Sequence, residues 1–172
     1  MLEGDTMDEI KLLNILKNDP RISSTDLADI LNESEENVIK TKLKLEKEKV
    51  ICGYHTIINW DKTNTETCSA IIEVSAKPER DKGYDDVASR IARYPEVNSL
   101  YLISGRSEFM VLISGRTMRE VADFVGQKLA PIEGVSATVT LFVLKKYKIE
   151  GVILEEKVKD ERMIITPWVK NI

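Results

Sequence analysis

At 172 residues and 19.5 kDa the chain has room for one or two small domains. With 42% apolar and 31% charged residues its composition is globular, and apolar runs such as Leu100-Tyr101-Leu102-Ile103 fall far short of the roughly 20 residues of a bilayer helix. A net charge of −4 excludes an argument for nucleic-acid binding from bulk electrostatics, so any basic footprint has to be local.

The side-chain inventory also narrows the chemistry. His55 is the lone histidine, which removes His–His metal pairs and leaves a single ring for any Ser–His or Cys–His nucleophile. It is expected to be structural. Cys52 and Cys68 match no zinc or redox spacing and are expected to be small buried apolar side chains. No cofactor or metal is expected. Met1-Leu2-Glu3-Gly4-Asp5 has neither the basic region nor the apolar stretch of a secretory signal, so a cytoplasmic location is expected.

In chain order, the hydrophobic period is helical from Asp8 to about Lys49, giving three short helices. Asn18-Asp19-Pro20 stops the first, Ser23 with Asp26 resembles a capping box for the second, and Ser34 caps the third. Residues 52–67 read as an extended linker. Cys68 to Ser75 then reads as a strand, Tyr84 to Arg93 as a helix, Val97 to Ser104 and Phe109 to Ser114 as strands, Met118 to Leu129 as a helix and Val135 to Leu144 as a strand. The fold class is therefore α+β: a three-helix helix-turn-helix domain over 1–51, then a ferredoxin-like β-α-β-β-α-β domain over 68–148, two helices on one face of a four-stranded antiparallel sheet. Residues 149–172 form a polar tail whose apolar islands, Val152-Ile153-Leu154 and Met163-Ile164-Ile165, either add an edge strand or reach a neighbouring subunit. With helices on one face only, the residues Ile71, Leu100, Leu102, Val111, Ile113, Val139 and Leu141 are too apolar for both faces to meet water, and an identical sheet is the simplest cover.

Asp8 to Leu16, Asp19-Pro20-Arg21-Ile22-Ser23, Asp26-Leu27-Ala28, Leu31 and Leu45 to Tyr54 resemble the DNA-binding half of the Lrp/AsnC, or feast/famine, regulators. Gly105 in a strand-joining turn, and Pro131-Ile132-Glu133-Gly134-Val135 followed by Thr138 and Thr140, resemble that family's ligand-responsive half. The resemblance implies a homodimer or higher homo-oligomer that binds double-stranded DNA through paired helices and senses a small effector, usually an amino acid, at a subunit interface near Gly105.

For DNA, the candidates are Lys40, Lys44 and Lys47, which share one helix face as a phosphate-contacting stripe, and Asn37, able to pair with an adenine edge. The third helix opens on Glu35 and Glu36, which suit the helix dipole and repel phosphate. Thr41-Lys42 stands where the family tends to place an arginine and an apolar residue. Residues 1–60 carry 8 Lys+Arg against 12 Asp+Glu, a balance of −4.

For the effector, the candidates are Gly105, Arg106, Ser107 and Glu108, with Thr138 and Thr140 adding hydroxyls. Gly105 offers a positive φ and close ligand approach, Glu108 stands where the family tends to have aspartate and suits an ammonium, and Arg106 or turn N–H groups suit a carboxylate. Two rival readings accompany the regulator. One is an effector-binding oligomer with weak or lost DNA binding. The other is a sirohaem decarboxylase-like enzyme, which Glu108-Phe109-Met110-Val111-Leu112 supports poorly for want of aromatic and polar substrate contacts.

Overall fold

The computed structural model describes residues 7–78 and 83–155. The chain divides into two compact units between Thr56 and Ile57, inside the expected linker.

The first unit holds helices α1 (Glu9–Asn18), α2 (Ser24–Leu31) and α3 (Glu35–Lys47). Each begins on a side chain that accepts an otherwise orphaned N–H: Asp8 from Lys11, Ser23 from Asp26 and Ser34 from Asn37. The expected capping box closes differently, since the Asp26 carboxylate takes the Ser23 hydroxyl proton at 2.6 Å. Asn32 ends α2 at φ 56, a conformation asparagine tolerates well among non-glycine residues. Leu12, Leu16, Leu27, Ala28, Val38 and Leu45 form the buried centre, with Ile51 packed on its margin. That last contact corrects the expectation for Cys52. Ile51 takes the inward place after α3, and Cys52 is left exposed, its thiol donating to the Lys49 carbonyl.

The second unit contains β1 (Cys68–Ala76), α4 (Asp85–Ala92), β2 (Val97–Leu102), β3 (Phe109–Gly115), α5 (Met118–Phe124) and β4 (Val135–Val143). The antiparallel sheet runs β2-β3-β1-β4, the ferredoxin-like order. After α5 the chain continues as a π-helical turn over Val125–Leu129. Five residues of regular helix rotate by about 140°, and the wider turn lessens that, letting Phe124 and Leu129 both enter the core.

Strand register sorts the apolar residues by face. Ile72 lies opposite Val111, and Val111 opposite Leu100; Ala70 lies opposite Ile113. Leu100, Val111 and Ile113 therefore belong to the helix-covered core, and Leu102 shares their parity. Of the seven apolar residues expected to divide between the two faces, Ile71, Val139 and Leu141 lie on the bare one. Tyr101, Met110 and Leu112 complete it: Met110 and Leu112 lie opposite Glu73 and Ile71, and Tyr101 lies opposite Met110 because an irregularity between Val97 and Ser99 resets the parity of β2. Tyr101, Val139 and Leu141 are exposed.

The tail's first island forms a short ribbon with its own upstream residues, β5 (Lys148–Ile149) against β6 (Val152–Ile153), and adds nothing to the main sheet. Leu154 is buried behind it, and its carbonyl accepts from the Asn59 amide. Met163-Ile164-Ile165 lies outside the described residues. Among the described residues no helix is long and apolar enough to cross a membrane.

Candidate DNA-reading helix and effector turn

Val38 and Leu45 fix the inner side of α3, which places Lys40 and Lys47 on the outer side. Lys44 lies beside them but is engaged, its ammonium 2.9 Å from Glu9 of α1, which pushes its pKa up. Asn37 faces the α2–α3 turn, its amide 2.8 Å from Glu33 and its backbone N–H on Ser34. The expected stripe of three lysines thus retains two without an ion-pair partner among the described residues, and the asparagine serves the local turn. Thr41 and Lys42 are half-buried, with the Lys42 ammonium 5.2 Å from the centre of the Tyr54 ring. Tyr54 donates to Glu46, and partial burial together with that acceptor pushes the phenol up to about 12. The departure at Thr41-Lys42 therefore shapes the packing of residues 52–54 on α3 rather than its outer face. His55 is exposed.

In the second unit, residues 103–108 join β2 to β3. Ile103 N–H donates to the Glu108 carbonyl, and Glu108 N–H to the Val74 carbonyl, tying the turn to β1. The Glu108 carboxylate accepts from Ala76 N–H at 2.8 Å, and Arg106 pairs with Glu73 at 2.6 Å. Ser107 is buried. Gly105 does not adopt a positive φ, contrary to expectation; the turn closes through these hydrogen bonds without a left-handed residue. A Cβ at Gly105 meets nothing within 4 Å.

Thr138 and Thr140 lie opposite Val74 and Ile72, on the helix-covered face, whereas Glu73 and its Arg106 partner lie on the bare face. Val74 also lies opposite Phe109, so Thr138 stands two strand spacings, about 10 Å, from the end of the turn. One chain does not bring the six expected effector residues together. Glu73 was missed by sequence reasoning, although its position as the one acidic residue within an apolar strand marked it.

The two larger cavities found among the described residues of this unit lie elsewhere. One of about 670 Å³ opens on the bare face between Ile71, Leu112 and the segment around Lys146, whose ammonium reaches Ser69 at 2.8 Å. The other, about 300 Å³, lies at the far end of β3 beside Glu96, whose pairing with Lys128 holds its carboxyl below the usual range.

Residues 69–153 match the Lrp/AsnC ligand binding domain. A helix-turn-helix transcriptional regulator of Bacillus subtilis, YugG, itself uncharacterized, is 40% identical over 94% of this chain and 98% of its own length. The chain belongs to the Lrp/AsnC family of transcriptional regulators. The regulator is also 32% identical to LrpA of Pyrococcus abyssi, over 84% of this chain and 99% of that one. Among solved structures, the L-methionine complex of a transcriptional regulator from Neisseria meningitidis shares the fold at TM-score 0.64 and 24% identity, covering 82% of this chain and 90% of that one. AsnC of Escherichia coli does so at TM-score 0.60 and 19% identity, covering 80% and 90%. These relatives are regulators by name, which supports the regulator over the decarboxylase-like reading.

Proposed function

We propose that the regulator binds duplex DNA through α3 and couples that binding to an amino acid, or a related zwitterion, held at the 103–108 turn of a homo-oligomer. The observation that carries this reading is the turn: a Cβ at Gly105 meets open space, and the same turn carries the Arg106–Glu73 pair and Glu108, both signs of charge for a ligand bearing both to engage. Thr138 and Thr140 sit too far away to complete the same pocket within one chain, so a neighbouring copy supplies the remaining wall. The bare sheet face of Ile71, Tyr101, Met110, Leu112, Val139 and Leu141 gives that copy a surface to pack on. The L-methionine bound to the Neisseria regulator is in keeping with the ligand class. A ligand bridging subunits shifts the population toward one arrangement and so changes the spacing of the paired helices.

A mobility shift on the regulator's own upstream DNA, at low and moderate salt and with an amino-acid mixture, tests the reading. A complex that weakens with salt and responds to the mixture is expected. No complex at low salt overturns it in favour of an effector-binding oligomer without DNA binding, a reading favoured by the −4 balance of residues 1–60 and by the engagement of Lys44 with Glu9.

A further inference from the structure

Directly opposite the buried side of α3, Glu36, Lys40, Leu43 and Lys47 follow one another at i, i+4, i+7 and i+11. Leu43 is 59% exposed and Ile39, beside it, 42%. Lys40 and Lys47 stand about one turn before and after Leu43 along the helix, both on the side of it away from Ile39, and neither they nor Glu36 have a partner among the described residues. The other polar groups of the first turn are occupied: Glu35 accepts from the Thr25 hydroxyl at 3.3 Å, and Asn37 is held by Glu33. Glu36 is the free acceptor at the helix start.

An exposed leucine with two ammonium groups along one side of it fits a surface that is apolar at its floor and anionic along its wall. The major groove has that character where thymine methyl groups line its floor between two rows of phosphates. Resting on the DNA-binding reading above, we propose that Glu36 and Leu43 read base edges: Glu36 accepts from the N4 amino group of a cytosine, and Leu43, backed by Ile39, packs on the methyl group of a thymine. Seven residues of helix rise about 10.5 Å, and a helix lying along the groove spans about two to three base-pair steps over that length, so the two bases are about two or three pairs apart. Lys40 and Lys47 hold the flanking phosphates.

The full-length chain is used to select duplexes from a random pool, and each thymine of the selected site is replaced in turn by deoxyuridine, which removes only the methyl group. At one position the wild type is expected to lose about fourfold in affinity, the worth of one buried methyl. Leu43→Ala, at an exposed position that leaves the fold intact, is expected to bind thymine and uridine duplexes alike. Glu36→Gln is expected to move the preference at its position from cytosine to adenine, since a glutamine amide pairs with adenine through two hydrogen bonds. Equal wild-type affinity for both duplexes, or a Leu43→Ala variant that still discriminates, overturns the readout. Retention of a random-sequence duplex at low salt separates the two readings. Its absence overturns DNA binding itself, whereas its presence without base preference overturns only the roles of Glu36 and Leu43.

Discussion

Replacing Gly105 with valine separates a ligand-binding role from a folding role, because the structure makes the folding cost small. Gly105 is not at positive φ, and a Cβ there has nothing within 4 Å, so the valine side chain extends into open space. A stability change within about 1 kcal/mol is expected, of the size seen when chain entropy in the unfolded state is the main term. Gly134 supplies the contrast. Its φ is +93 and a Cβ would stand 2.8 Å from a Val87 methyl that is itself fully buried. Gly134→Ala combines about 1–3 kcal/mol of backbone strain with about 1–3 kcal/mol of overpacking, for a loss of about 2–6 kcal/mol. Urea unfolding at one fixed protein concentration reads both variants, the concentration being held because assembly shifts the midpoint. Calorimetry with a panel of amino acids then reads the site. If a zwitterion lies over Gly105, the valine methyl groups occupy its place and weaken binding at least about tenfold, or about 1.4 kcal/mol, with the unfolding midpoint almost unmoved. Undiminished ligand binding by Gly105→Val refutes the placement. A midpoint that falls as far as that of Gly134→Ala refutes the reading of the open space.

Four further outcomes are expected. Leu141→Glu puts a charge on the bare sheet face and should shift light scattering from an oligomer toward the 19.5 kDa monomer; a wild type that is already monomeric at micromolar concentration refutes the role of that face. Lys40→Ala and Lys47→Ala should each weaken DNA binding about equally on all sequences and lower the slope of log affinity against log salt by about one for each phosphate no longer neutralised, and unchanged slopes would show that these lysines do not touch phosphate. Breaking the Lys44–Glu9 pair with Glu9→Gln should leave the urea unfolding midpoint almost unmoved, since both side chains are about half exposed and solvent screens the pair. Tyr54, ordinarily ionising near 10.0, is raised to about 12, so the folded state keeps a proton that the unfolded state loses between those values. The first unit's stability should therefore be level below pH 10 and fall as pH rises toward 12, and circular dichroism of Tyr54→Phe should show that fall removed.

Much of the fold was legible in the sequence because local chemistry sets it. Ser23 and Ser34 cap their helices where polar side chains precede a helical period, and Tyr94-Pro95 closes the space between α4 and β2. The order of strands and helices follows from alternating and 3.6-residue periods, each a property of a short stretch of chain. The identity of the candidate turn was equally local, since Gly105 to Glu108 is one four-residue stretch.

Tertiary structure decided what depends on residues far apart in the chain. Which face Leu100 or Ile71 occupies follows from strand register, and one irregularity in β2 exchanges the faces of the β2 residues after it. Glu73 joined the turn only because β1 pairs with β3, across more than thirty residues of chain, and Thr138 parted from it only because β1 separates β3 from β4. On α3, periodicity alone placed Lys40, Lys44 and Lys47 on one face. The packing of α1 against that helix engaged Lys44 with Glu9 and left Lys40 and Lys47 without an ion-pair partner among the described residues, because ion pairing depends on distances between helices that no local period records.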